Sequence, residues 1–369
     1  MTGGGAETGT DVLAPAPVRR DHRFHQLRVA RVVEETEDAR SYELEVPADL
    51  ASTYAYRPGQ FCTFRVRIDG VEHLRSYSMS SSPDAADPLT VTVKRVPGGA
   101  VSGWLIDNVR EGDLLEVTPP AGVFCLQDDE LPVVAFCGGS GITPVMSLAR
   151  TGLASSSRPF ALLYANRSPE SVIFDAALSE LQDRHDGRLA VQHHADSDAG
   201  FLTPADVHAF VDAHGTDAHH YICGPNLFME LVERALLDRG VPAARIHIER
   251  FGAALPALPV ESGGPPADAG DTADDVVPET ITLILKGKIH QLTYVRGDTV
   301  LETARRGALS PPFSCEAGNC ATCMAMLREG TAHMAVNNAL TDDEVDEGWI
   351  LTCQSTVTGS AVSVEYEDL

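Results

Sequence analysis

Three cysteines within nine residues, Cys315, Cys320 and Cys323, answered by Cys353 after a further 29, are what the fold of this chain must accommodate first. The spacing C-x4-C-x2-C followed by a distant fourth cysteine is the ligand spacing of a plant-type 2Fe-2S centre, in which four thiolates hold two irons. A loop that carries three ligands must wrap around a compact cluster, and Ala317, Gly318, Ala321 and Thr322 are small enough to let it. Its backbone amides can then point at the sulfides. A structural zinc site is the alternative, but such sites usually pair two short cysteine knuckles, and here Cys353 stands alone.

At 369 residues the chain exceeds one ordinary core, so two or three domains are expected. No run approaches 18 apolar residues, and the N-terminus lacks the layout of a secretory signal. The expectation is a cytoplasmic, monomeric protein with no membrane partner. Cys62, Cys125, Cys137 and Cys223 show no framework spacing, which agrees with a reducing compartment. A formal net charge of -25 argues against nucleic acid, whose phosphates need a basic face.

Read in order, residues 1–24 are rich in Gly, Pro and Ala without hydrophobic period and are expected to form a disordered tail. Residues 25–128 carry short alternating runs separated by Gly-bearing turns, as a small antiparallel β-barrel requires. At 129–252 the pattern changes. The apolar run Pro132–Cys137 meets Gly138-Gly139-Ser140-Gly141-Ile142-Thr143-Pro144 and then a helical stretch over 145–153. Apolar runs and helical segments alternate from there, including a helix expected over 171–183, which predicts an α/β domain with a parallel sheet. Residues 253–279 read as a linker, with a reach of roughly 30 Å if flexible. Residues 280–369 combine a hairpin, a helix over 299–306 and the cysteine loop, an α+β domain expected to be a β-grasp.

A flavin needs an aromatic face, a cation near its phosphate and a hydroxyl near N5, and Arg75-Ser76-Tyr77-Ser78 offers all three. Lys94 follows on the next strand, and Gly98-Gly99-Ala100-Val101-Ser102 opens a helix whose amides and Ser102 hydroxyl can take a phosphate. In the second domain Gly139 and Gly141 form the turn, and Pro144 stands where a third glycine is usual and suits a first helical turn. Cys223-Gly224-Pro225 ends a later strand at the carboxyl edge, where open parallel sheets bind ligands. By position Cys223 lies against a nicotinamide or is simply a small buried residue. Arg167 follows the second strand of this sheet, where it meets a 2′-phosphate or is a solvated charge. His193-His194 and His219-His220 read as strand-end residues, and the acidic group Asp342, Asp343, Glu344, Asp346, Glu347 as a solvated face or a docking patch.

Taken together, these motifs in this order resemble the ferredoxin-NADP reductase superfamily fused to a C-terminal plant-type ferredoxin. Within it the chain is most similar to the reductase components of 3-ketosteroid 9α-hydroxylase and phenylacetyl-CoA epoxidase. The resemblance covers roughly residues 25–369. It implies FAD, with FMN the lesser choice, held by Arg75, Tyr77, Ser78 and Lys94 and by Gly99, Val101 and Ser102 at its phosphates. It also implies NADH or NADPH against Thr143 and Cys223-Gly224-Pro225, with Phe251 of Glu249-Arg250-Phe251 approaching the flavin. Gly200-Phe201-Leu202 departs from the Gly-Arg-Leu of many members, which weakens any case for NADPH.

The expected activity is that of an NAD(P)H-dependent oxidoreductase. Hydride passes to flavin with Ser78 and Cys223 shaping the site, and single electrons leave through Cys315, Cys320, Cys323 and Cys353. A cluster near about -400 mV can reduce a terminal oxygenase. That acceptor is expected to be a separate Rieske-type or di-iron component, because the chain carries neither Rieske Cys-His pairs nor Glu-x-x-His motifs. The rival activities are a diaphorase with a quinone or small-molecule acceptor and a redox-sensing iron-sulfur module.

Overall fold

A computed structural model describes residues 24–84, 87–185, 187–251, 277–309, 311–313, 318, 321–337 and 339–366. The expected tail up to residue 23 and almost all of the linker lie outside them, as do Cys315 and Cys320.

The first sheet is built from β1 (His25–Thr36), β2 (Ala39–Glu45), β3 (Phe61–Ile68), β4 (Val71–Ser78), β5 (Leu89–Lys94) and, after helix α1 (Ala100–Asn108), β6 (Leu114–Val117). Its order is β4-β3-β6-β1-β2-β5, antiparallel throughout. An antiparallel bridge between Met79 and Val91 joins the two edge strands, closing the sheet into the expected barrel. Alternation explains the interior: Leu27, Val29, Tyr42, Leu44, Phe64, Val91 and Val117 fill it. Each such side chain contributes about 1.5–3 kcal/mol by leaving water. Tyr42 keeps its hydroxyl satisfied by donating to Leu105 O of α1 at 2.9 Å, which seats the helix over the barrel.

The second sheet follows the order β11-β10-β7-β8-β9 and is parallel. Its elements are β7 (Val133–Gly138), α2 (Ile142–Ser155), β8 (Phe160–Asn166), α3 (Asp175–Arg184), β9 (Leu189–Ala195), the single turn α4 (Asp196–Ala199), α5 (Pro204–His214), β10 (His219–Cys223), α6 (Asn226–Asp238) and β11 (Ile246–Glu249). Every residue of β7 and β8 is buried, as a parallel strand covered on both faces must be. The chain reverses direction across the sheet between β7 and β10, which are neighbours there, so their carboxyl ends flank the crevice where such sheets bind ligands.

One helix begins later than expected. Ser168 N donates to Ser171 Oγ at 3.2 Å and Ser171 Oγ back to Ser168 O at 2.7 Å. These bonds hold Pro169–Ser171 in a 3-10 turn, and Phe174 at φ +64° then restarts the chain as α3.

The third sheet has the order β13-β12-β16-β14-β15, with β12 parallel to β16 and the other pairs antiparallel. Its elements are β12 (Thr280–Leu285), β13 (Lys288–Thr293), α7 (Val300–Arg306), β14 (Met324–Met334), α8 (Asp342–Asp346), β15 (Trp349–Leu351) and β16 (Ser355–Glu365). This is the β-grasp, with Val300 and Ala304 of α7 packed on Ile281, Leu283 and Val364. Thr299 caps α7 by accepting from Glu302 N, and Thr341 caps α8 in the same way through Glu344. Among the described residues no helix is long and apolar enough to cross a membrane.

Candidate functional site

Barrel and parallel sheet meet along α2. Ser147 Oγ donates to Ser81 O at 2.6 Å and Thr151 Oγ1 to Ser82 Oγ at 2.8 Å, all four residues being buried. Two buried hydroxyls spent on the turn after β4 fix the end of that strand against the helix that opens the nucleotide turn. Ser78 is the last residue of β4, 2 % exposed, and its hydroxyl has no hydrogen-bond partner among the described residues. A buried hydroxyl left without a partner costs about 1–3 kcal/mol, which marks it as waiting for a ligand atom. Tyr77 beside it packs edge-on against Phe64 at 5.5 Å, and burial pushes its phenol well above the usual range. Ser76 Oγ shares a 2.9 Å bond with Thr63 Oγ1, and Arg75 is exposed, its guanidinium donating to Leu74 O.

Lys94 ends β5, half-buried, and its amine lies 3.6 Å from where a Cβ on Gly139 would stand. Burial lowers its pKa, while Asp38 acts to raise it. Gly99 caps α1, Val101 is buried in the first turn, and the Ser102 hydroxyl accepts from Val96 N at 3.0 Å. That bond closes the Gly98-Gly99 turn, so Ser102 shapes the helix start as well as facing it.

Across the seam the turns after β7 and β10 interlock at backbone distance. A Cβ on Gly141 would fall 2.0 Å from Cys223 O and 2.8 Å from Gly224 N, and one on Gly138 would fall 2.9 Å from Pro225 Cδ. Glycine is required at Gly141 by that approach. Thr143, 3 % exposed, donates to Ser140 O at 3.1 Å and stands in the first turn of α2, with Pro144 next to it. Cys223 is fully buried beside Cys137 on β7 and Glu249 on β11, and burial drives its thiol well above the usual range. It is therefore a neutral, small wall. Phe251 packs against the cluster that contains Tyr221 and Cys223.

Arg167 follows β8 and is not a free charge: its Nη2 donates to Asp38 Oδ2 at 2.7 Å. Asp38, in the β1–β2 turn, was not foreseen from the sequence, because an aspartate in a hairpin turn is ordinary there. The histidines sit at strand ends as expected, with His219 bonded to Asp129 at 2.8 Å and to His247 at 3.0 Å.

Of the four cysteines expected to hold a cluster, Cys323 and Cys353 are described, both buried among Leu301, Met324, Trp349 and Leu351. Thr352 joins them: its N and Oγ1 both donate to Cys323 O, at 3.1 and 2.8 Å, and Tyr366 OH shares a 2.9 Å bond with that Oγ1. Thr352 O in turn accepts from Leu301 N of α7 at 2.9 Å. Gly318 at φ +73° and Ala321 at φ +51° turn the loop in the left-handed region, and a Cβ on Gly318 would meet Val336 O at 2.5 Å. Two buried cysteines whose backbones one threonine ties together, beside Gly318 and Ala321 in the left-handed region, fit a thiolate-held cluster.

Comparison with known proteins agrees in every module. The model of the oxidoreductase FAD-binding domain matches residues 26–125, that of the oxidoreductase NAD-binding domain residues 136–234, and that of the 2Fe-2S iron-sulfur cluster binding domain residues 283–358. Fold and site thus define an NAD(P)H-dependent flavin and iron-sulfur oxidoreductase. The chain belongs to the ferredoxin-reductase family whose members join these three domains and include oxygenase reductase components. It is 39% identical to the ferredoxin reductase component of 3-ketosteroid-9-alpha-monooxygenase from Mycolicibacterium smegmatis, over 93% of this chain and 97% of that protein. It is 31% identical to one of the subunits of 1,2-phenylacetyl-CoA epoxidase from Escherichia coli, over 93% and 98%. Among solved structures, phthalate dioxygenase reductase, described as a modular structure for electron transfer from pyridine nucleotides to [2Fe-2S], matches with a TM-score of 0.57 and 26% identity, covering 93% of this chain and 98% of that one.

Proposed function

We propose that this chain is the reductase component of a multicomponent oxygenase, taking electrons from NAD(P)H and delivering them to a separate terminal oxygenase. The observation that carries the reading is the likeness, over nearly the whole of both chains, to a monooxygenase reductase component. When bound, FAD supplies the conversion between a two-electron hydride donor and one-electron iron acceptors.

The residues divide that work. Tyr77 offers a flat face, and the Ser78 hydroxyl, unpartnered among the described residues, offers a hydrogen bond to the flavin ring edge. Lys94, Arg75 and the α1 start with Gly99, Val101 and Ser102 hold the phosphates. Gly139, Gly141 and Thr143 admit the coenzyme to the α2 start, and Gly224 and Pro225 hold the opposite wall. Cys223, neutral and buried, keeps water from the nicotinamide side, and Phe251 covers the outer face. Cys315, Cys320, Cys323 and Cys353 hold the cluster through which electrons leave. Domain limits at 25–128, 129–252 and 280–369, a monomeric state and a cytoplasmic location belong to the same proposal.

The test is an anaerobic titration of the FAD- and iron-loaded protein with NADH and with NADPH, followed by visible absorption. Flavin and cluster should bleach together. The reduced protein should then support turnover by a purified terminal oxygenase. Reduction of quinone or cytochrome c with no oxygenase supported would make it a diaphorase instead.

A further inference from the structure

We propose that Asp38, a residue of the barrel domain, sets the coenzyme preference of the nucleotide domain to NADH by withholding Arg167 from a 2′-phosphate. The inference rests on the proposed coenzyme site and deepens it. Arg167 stands just past the carboxyl end of β8, the second strand of the sheet, where the adenosine ribose of a bound dinucleotide is read. Its guanidinium is the natural partner for a phosphate there. In this protein Arg167 Nη2 already donates to Asp38 Oδ2 at 2.7 Å, across the seam between domains.

The carboxylate is held in place. Asp38 Oδ1 accepts from Thr36 Oγ1 at 2.9 Å, and Asp38 O accepts from Arg95 N at 2.7 Å. A guanidinium that swung to a phosphate would leave this anchored carboxylate behind, facing the incoming charge. The rest of the rim adds to that. Ser197 N donates to Arg167 O at 3.0 Å, which latches α4, with Asp196 and Asp198, onto the turn after β8. His194 Nε2 bonds to Gly200 O at 2.8 Å, and the next residue, Phe201, is left 85% exposed. An aromatic face offers adenine a stacking surface and offers a phosphate nothing. Two further cations lie near Asp38: Lys94 stands at Gly139 on the barrel side of the seam, and the Arg95 guanidinium is already paired with both oxygens of Asp107.

A purely structural role for the pair is a poor account of it. The Arg167 side chain is 70% exposed, and exposed ion pairs contribute little to stability. Discrimination between ligands, by contrast, is a difference of affinities that a misplaced like charge readily produces.

The test uses the FAD- and iron-loaded full chain, with dissociation constants for NAD+ and NADP+ from equilibrium dialysis beside steady-state kinetics. The wild type should prefer NADH. Asp38→Asn should raise kcat/KM for NADPH relative to NADH about tenfold, through KM, and tighten NADP+ by a similar factor with NAD+ unmoved. Adding Arg167→Gln to Asp38→Asn should erase that gain, whereas Arg167→Gln alone should barely shift the ratio. A wild type that prefers NADPH, an unchanged ratio in Asp38→Asn, or a loss of NADPH use in Arg167→Gln alone would each overturn the proposal. Dialysis judges Asp38 without turnover, so a failure to support any oxygenase would strike only the function proposed above.

Discussion

Ser78, Lys94, Gly141 and Cys223, proposed above to serve the hydride end, come from three strands and the turn after a fourth in two domains, whereas three of the four cysteines proposed for the iron end lie within nine residues of sequence. The first site exists only because a closed barrel and a parallel sheet dock along α2. The second, as proposed, joins Cys323 to Cys353 through one threonine, next to Gly318 and Ala321 in the left-handed region. Damage should therefore spread differently: locally at the iron end, and through the backbone of two turns at the hydride end.

The largest expected effect separates the two ends outright. Cys353→Ala should abolish the visible spectrum of the cluster and lower cytochrome c reduction by at least about 100-fold, because alanine offers the irons no fourth ligand. NADH oxidation by ferricyanide, which draws electrons from the flavin, should stay within about twofold. Parallel loss of both activities would show that the ends are not independent.

Gly141→Ala attacks the other end. The added methyl would stand 2.0 Å from Cys223 O, so β7 and β10 must separate at their tips. A loss of about 1–3 kcal/mol in stability is expected from such overpacking, with the coenzyme KM raised roughly tenfold or more. The cluster spectrum should not change. An alanine variant with wild-type KM would mean that the close approach of these turns does not shape the coenzyme site.

Ser78→Ala sharpens the contrast, because here stability and activity should move in opposite directions. Removing a buried hydroxyl that lacks a partner among the described residues should leave melting unchanged or raise it slightly. Flavin reduction by NADH in stopped flow should slow by roughly 10–100-fold if that hydroxyl serves the ring edge. Reduction at the wild-type rate would make Ser78 an idle position.

The same contrast governs what could be read from the chain. Cysteine spacing pointed to the 2Fe-2S domain, whose model matches residues 283–358, because three of the four cysteines are neighbours in sequence. The strand–glycine–helix order around Gly138–Gly141 announced the nucleotide turn, for the same local reason. The late start of α3 was hidden, since it depends on Ser168 and Ser171 bonding each other rather than on hydrophobic period. Asp38 was hidden more deeply. Its partner Arg167 lies in another domain, and no local pattern couples a hairpin turn to a strand end in a different sheet.

The smallest effect concerns the edge of the parallel sheet opposite the site. His219 bonds Asp129 and His247 there, and His247 stacks on Tyr221 at 4.7 Å. Burial lowers both His220 and His247 to about 4, from an ordinary value of 6.5. Folded protein thus refuses protons that the unfolded chain accepts between pH 6.5 and 4. Stability should fall as pH drops through that window and should be indifferent to these residues above about pH 7. The loss is on the order of 1–3 kcal/mol for His220 by pH 4, and smaller for His247, which keeps more contact with solvent. The hydrogen bond from His219 holds the Asp129 carboxyl below its usual range, so its contribution is lost in the same direction but only at lower pH. Thermal melts followed by circular dichroism at pH 7 and pH 5 should show the decline, and His247→Gln should make it shallower. An identical slope in that variant would remove His247 from the account and leave the acid sensitivity of this edge to His220.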